Sequence, residues 1–117
     1  MLGAEVFENI SEEACRELEA IVGPEYITTD PAYLMSYTGH GYGREIFWFQ
    51  GVSQTPACVV LPENTQQVAK IVRVCNRYNI PYNPMSTHCF ALVGPMFTTN
   101  QLLIDLRRMN RMWIDDK

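Results

Sequence analysis

The residues best suited to chemistry crowd into one stretch, Pro84-Met85-Ser86-Thr87-His88-Cys89 and on to Gly94. A loop that brings its backbone N–H groups against a diphosphate needs glycine, small hydroxyl side chains and little bulk in the way. Ser86, Thr87 and Gly94 meet that need, whereas Phe90 and Leu92 add bulk. Cys89 has His88 beside it as its only evident base; without a stronger cause for a lowered thiol pKa it reads as an inert small residue. Elsewhere the signals are weak. Thr38 to Gly43, TGHGYG, lacks the G-x-G-x-x-G spacing of a dinucleotide loop, so His40 reads as a solvated loop histidine. Cys15, Cys58, Cys75 and Cys89 contain no C-x-x-C pair, which indicates neither a zinc site nor a disulfide framework. No acid, base and nucleophile are spaced as a self-contained active site, and no residue is assigned a catalytic role.

The elements around this stretch must position it. Ala57 to Leu61 is a short apolar run with β-branched Val59 and Val60, closed by Pro62, and reads as a buried strand. The period then changes. Asn64 or Thr65 caps a helix, Gln67 stands where a capping box wants it, and Val68, Ile71, Val72 and Cys75 form the expected core face. Lys70, Arg73 and Arg77 gather toward the negative end of the helix dipole, and Asn79 suits a left-handed cap after Tyr78. Ile80 and Pro81 restart an extended segment that leads to the loop, and another strand follows up to Asp105.

Ahead of this unit, Ser11 caps a helix with Glu12 and Glu13 in its first turn and Ala14, Leu18, Ile21 and Val22 as its stripe, ended by Gly23-Pro24. Tyr26 to Thr29 suits a short strand, and Asp30-Pro31 starts a turn or short helix through Met35. Ile46 to Phe49, IFWF, is apolar enough to need cover from the core or a partner.

A chain of 117 residues holds one domain at most, and 47% hydrophobic with 19% charged residues is ordinary for a globular protein. The net charge of −4 gives no reason to expect nucleic acid. Arg107, Arg108 and Arg111 gather late and are expected to be solvated or paired with acids such as Asp115 and Asp116. No window approaches the roughly 18 apolar residues of a membrane span, and the first residues lack a leader pattern, so a cytoplasmic setting is expected.

The run from Pro62 through Ser86, followed by LLIDLRRMNRMWID, resembles the start of the FAD domain of the vanillyl-alcohol oxidase and p-cresol methylhydroxylase (4-cresol dehydrogenase) flavoprotein family. Pro62, Thr65, Val68, Ile71, Val72, Asn76, Tyr78, Ile80, Pro81, Pro84 and Ser86 match that family's helix, N-x-Y-x-I-P turn and loop entry. Asp105, Leu106, Arg108, Met109, Asn110 and Arg111 match its later V-x-D-L-x-R-M-N-R-I run. The resemblance implies an α+β fold: the partial FAD-binding domain of the p-cresol methylhydroxylase type, a small sheet with two or three helices, truncated relative to the family. It divides the chain into a helical lead-in over 1–51 and the first portion of the FAD domain over 52–117.

The family loop reads S-x-G-[RK]-N-x-G-Y-G; this chain keeps Ser86 and Gly94 but has His88, Cys89, Phe90 and Leu92 where two glycines, the basic residue and the asparagine stand. The cofactor implied is FAD, with Pro84, Met85, Ser86, Thr87, His88, Cys89 and Gly94 as its binding residues and no metal. A likeness of Thr87 to Phe90 to more distant loops whose histidine bonds the flavin covalently is out of register by about one residue, so His88 is expected to be a plain loop histidine. The implied activity is oxidation of a para-substituted phenol or similar small alcohol, the catalytic portion lying outside this chain. The alternative is a non-catalytic homologue acting as an interaction or regulatory subunit. Either way, uncovered edges on the last two strands point to a homo-oligomer or a complementing flavoprotein subunit as partner.

Overall fold

The computed structural model describes residues 10–37, 56–86 and 101–116. In chain order these form helix α1 (Glu12–Val22), a 3-10 turn (Pro24–Tyr26), strand β1 (Ile27–Thr28), helix α2 (Pro31–Ser36), strand β2 (Cys58–Val60), helix α3 (Thr65–Tyr78), strand β3 (Tyr82–Met85) and strand β4 (Leu102–Asp105). His40, the TGHGYG run and IFWF lie outside the described residues.

Local chemistry sets the helix ends. Ser11 Oγ accepts from the Ala14 N–H at 3.3 Å, and Gly23 closes α1 at φ 93°, a conformation that favours glycine. Asp30 Oδ1 accepts from the Ala32 N–H at the start of α2. Asn64 Oδ1 accepts from the Gln67 N–H at 2.9 Å, but Gln67 Oε1 accepts from Glu63 rather than from Asn64, so the capping box is shifted outward by one residue. Asn79 ends α3 in the left-handed region at φ 54° and donates its N–H to the Cys75 carbonyl.

The four strands lie in the order β1-β2-β4-β3, with β1 antiparallel to β2 and the other pairs parallel. The last strand therefore enters between β2 and β3, and all four of its residues are buried. This corrects the expectation that both final strands would lack neighbours: of the two, β3 alone lies at an edge of the described sheet, with alternate residues exposed.

Strand alternation splits the apolar residues between two faces. On one, Cys58, Val60, Leu102 and Ile104 pack with Ala14, Leu18 and Val22 of α1 and Ile71, Val74 and Cys75 of α3. Each large aliphatic group buried there contributes about 1.5–3 kcal/mol relative to exposure. Val74 was not on the expected face of α3, and Val68 and Val72 are only half-buried. The helix is covered by α1 as well as by the sheet, which rotates its buried stripe toward Val74. Arg77 and Glu17 form an ion pair between the two helices. On the other face, Leu34 of α2 covers Val59 and Leu103, with Tyr37, Leu61 and Met85 at the margin.

Candidate functional site

Because β2, β3 and β4 run parallel, their carboxyl ends share one edge of the sheet, the side on which open parallel sheets bind ligands. Pro84 and Met85 are the last residues of β3, and the segment carrying the hydroxyl and imidazole groups leaves from there. Met85 pairs in register with Asp105, and the Leu106 N–H donates to the Met85 carbonyl at 2.8 Å, so the exits of the two strands are tied together. Pro84 and Ser86 are exposed and Met85 is half-buried. Thr87, His88, Cys89 and Gly94 lie outside the described residues.

The same edge carries a polar cluster that the sequence did not announce. Asp105 is fully buried. Its Oδ2 accepts from the Tyr37 hydroxyl at 2.8 Å and from Arg107 Nε at 2.8 Å, and its Oδ1 accepts from the Arg107 backbone N–H at 3.1 Å. Arg107 Nη2 donates to the Tyr37 oxygen at 2.7 Å, and the guanidinium lies over the Tyr37 ring, 5.7 Å from its centroid. A carboxylate this far from water is costly unless its oxygens are paired, and charge-assisted bonds from two side chains and the backbone offset that cost. Burial, followed by the hydrogen bond and negative charge of Asp105, raises the Tyr37 pKa. For Arg107, burial acts to lower the pKa, but the charges and hydrogen bonds of Asp105 and Tyr37 together leave it raised.

Arg108 turns the opposite way. Its guanidinium stacks 3.4 Å from the centroid of the Tyr26 ring, Nη1 donates to the Leu61 carbonyl at 2.8 Å, and Nη2 lies 3.8 Å from Glu63. The expected pairing of the late arginines with Asp115 and Asp116 is thus replaced, for Arg107 and Arg108, by Asp105 and Glu63. Asp105 is the nearer acid along the emerging strand, and residues 111–116 are exposed. The spacing Asp-x-Arg at 105 to 107 was a visible signal for the first pair; Tyr37, 68 residues away from Asp105, had none.

Among the described residues no group of three or more His, Cys, Asp or Glu could hold a metal ion. Buried Cys58 and Cys75 belong to the aliphatic core, and burial pushes their thiols up to about 12 and about 11, which keeps them protonated. Cys15 is half-buried rather than a full core residue. A nucleotide diphosphate fits the loop entry better than a metal does. It requires a small polar residue uncovered at the carboxyl end of a parallel strand, and Ser86 is an exposed hydroxyl residue directly after β3.

Comparisons with known proteins bear on the family and the fold. The chain is 28% identical over 112 residues to alkyldihydroxyacetonephosphate synthase of Dictyostelium discoideum, covering 88% of this chain and 18% of that protein. It is 26% identical over 106 residues to the mitochondrial D-2-hydroxyglutarate dehydrogenase of Bos taurus, covering 91% and 18%. Among solved structures, an alkyldihydroxyacetonephosphate synthase superposes with a TM-score of 0.75 at 26% identity, over 97% of this chain and 22% of the other. p-Cresol methylhydroxylase superposes with a TM-score of 0.71 at 22% identity, over 88% and 20%. The chain thus spans about a fifth of the length of the relatives it matches. The model of the FAD binding domain family matches residues 56–117, which hold β2 to β4, the loop and the Asp105–Arg107 pair, and on that match over more than half of its length the chain belongs to the FAD binding domain family of flavoproteins, with the fold of the p-cresol methylhydroxylase type.

Proposed function

We propose that this chain is the FAD-binding portion of a flavin-dependent oxidoreductase acting on a para-substituted phenol or similar small alcohol. The observation that carries the cofactor part is the exit of β3 at Ser86, at the carboxyl edge of three parallel strands and inside the matched family segment. Bound FAD supplies a flavin ring that accepts the substrate's electrons. The chain's own part is to hold the diphosphate: Pro84 and Met85 fix the strand end, Ser86 offers a hydroxyl, and Thr87, His88, Cys89 and Gly94 follow as the proposed contact stretch. The phenol part is supported by the solved p-cresol methylhydroxylase and 4-ethylphenol oxidase, which share the fold at 22% and 25% identity. No helix among the described residues is long and apolar enough to cross a membrane, and a cytoplasmic setting belongs to the same proposal.

The direct test is a titration of the chain with FAD, followed by flavin fluorescence. Saturable binding that is weak for the native loop and tightens in the variant His88→Gly, Cys89→Arg, Phe90→Asn, Leu92→Gly supports the reading. Each hydrogen bond to a charged group contributes about 1.5–3 kcal/mol, so restoring two or three amounts to a gain of several powers of ten. An unchanged or weaker affinity in the restored variant sinks the assignment of this loop. For the substrate, bleaching of the flavin by p-cresol in the assembled holoenzyme is expected; bleaching by a 2-hydroxy acid instead would replace the phenol.

A second reading, an interaction subunit, is favoured by one observation. Met112, Trp113 and Ile114 are 85%, 81% and 80% exposed, an apolar run that water alone covers poorly. Under this reading the chain pairs with itself or with a complementing flavoprotein subunit. Light scattering that gives a monomer at micromolar concentration would remove self-association.

A further inference from the structure

We propose that Arg107 is a phosphate-contacting residue for FAD, held in place by Asp105 and Tyr37, and that it supplies the cation missing from the loop itself. The inference rests on the FAD reading above and assigns a residue outside the loop. Three observations converge on it.

The first is the pairing of the guanidinium. Its bonds to the described residues run through Nε and Nη2, both directed at Asp105 and the Tyr37 hydroxyl. A planar guanidinium gripped along one side has its orientation fixed, and Nη1 then stands as the donor for a further acceptor. The second is an asymmetry of exposure within the ion pair. The Asp105 side chain is 0% exposed and that of Arg107 is 58% exposed, so the face turned to solvent is the cationic one. A buried carboxylate gives little net stability compared with an apolar side chain of the same size, so its use here is to aim its partner.

The third is location. Asp105 pairs in register with Met85, and Leu106 donates to the Met85 carbonyl. Arg107 thus leaves β4 one residue beyond the backbone bond that ties it to the loop entry. Cys89 stands where the family loop carries its arginine or lysine, while the family pattern D-L-x-R leaves the position of Arg107 open. On this proposal the positive charge stands at the neighbouring strand exit, on Arg107, instead of in the loop.

The test uses the full chain with FAD, ADP and riboflavin as ligands, the first two carrying a diphosphate and the third none. Arg107→Gln is expected to weaken FAD and ADP by about tenfold to a hundredfold, the usual range for a lost charge-assisted bond, with riboflavin unchanged. Its FAD binding is also expected to depend less on ionic strength. Arg107→Lys keeps the charge without the fork and recovers part of the loss. Tyr37→Phe removes a single partner of Nη2 and weakens FAD by about two- to tenfold, again sparing riboflavin; should Arg107→Gln fail to fold, this variant and Arg107→Lys decide the result. Equal losses for FAD and riboflavin, or no loss for either, overturn the role of Arg107 and leave the cofactor reading standing. Failure of the unaltered chain to bind FAD or ADP overturns both.

Discussion

The two faces of the sheet are held by different forces. Against α1 and α3, the sheet packs aliphatic side chains and thiols, with Leu18, Ile71, Leu102 and Cys58 fully buried. Against α2, a helix of six residues, the apolar cover is reduced to Leu34 over Val59 and Leu103, and the attachment is completed by Tyr37, Asp105 and Arg107. Apolar packing is non-directional and tolerates small shifts, whereas a guanidinium between a carboxylate and a phenol has one orientation. The first face accounts for stability and the second for placement, and it is the second that adjoins the loop entry.

This contrast is broken most strongly from the aliphatic side. Ile71→Ala or Leu18→Ala should cost about 2–5 kcal/mol in urea unfolding, as large-to-small changes at closed sites do, and Leu34→Ala should cost clearly less because its helix is short and less enclosed. A larger loss at Leu34 would reverse the assignment of the two faces. Alkaline pH attacks the same side. The folded chain holds the Cys58 thiol at about 12 against an ordinary 9.0, a raised value, so its contribution is intact below pH 9 and is lost as pH rises toward 12. Unfolding measured at steps across that range should show the decline, and Cys58→Ala should reduce it to the part that the raised Cys75 thiol, at about 11, contributes.

On the polar face, Asp105→Ala is expected to cost about 1–3 kcal/mol by leaving the Tyr37 and Arg107 donors unpaired, with Asp105→Leu recovering much of the stability but not the orientation of Arg107. Equal nucleotide affinity in Asp105→Leu and the native chain would show that orientation does not matter. At the helix ends, Asn64→Ala should cost about 1 kcal/mol, the usual value of a lost cap. The smallest effect belongs to the exposed pair of Arg16 and Glu12, where Glu12→Gln should change stability by about 0.5 kcal/mol or less.

What could be read from the sequence was what short range decides. Ser11, Gly23, Asn64 and Asn79 act through bonds to residues within five positions, and all four were legible as caps. The strand at Cys58–Val60 announced itself because both faces are covered, which leaves a continuous apolar run. Val74 was missed because the rotation of α3 is set by α1, far off in sequence. The central position of β4 was missed because an order of strands leaves no mark on the residues of any one strand. Of the candidate site, Pro84 to Ser86 was singled out through its match to a family pattern, while Tyr37 was out of reach: a tyrosine at the end of a short helix looks the same whether or not a buried carboxylate waits across the fold.

The insertion of β4 between β2 and β3 also sets an order of assembly. During synthesis β2, α3 and β3 emerge before β4, yet β2 and β3 are not neighbours, and every parallel pairing among the described strands requires β4. Until Leu102 to Asp105 has left the ribosome, α1 and α3 have only part of a surface to pack on. The parallel part of the sheet is therefore closed by β4, and pairing that waits for a non-local strand is slow and exposed to misplaced strand pairing until then.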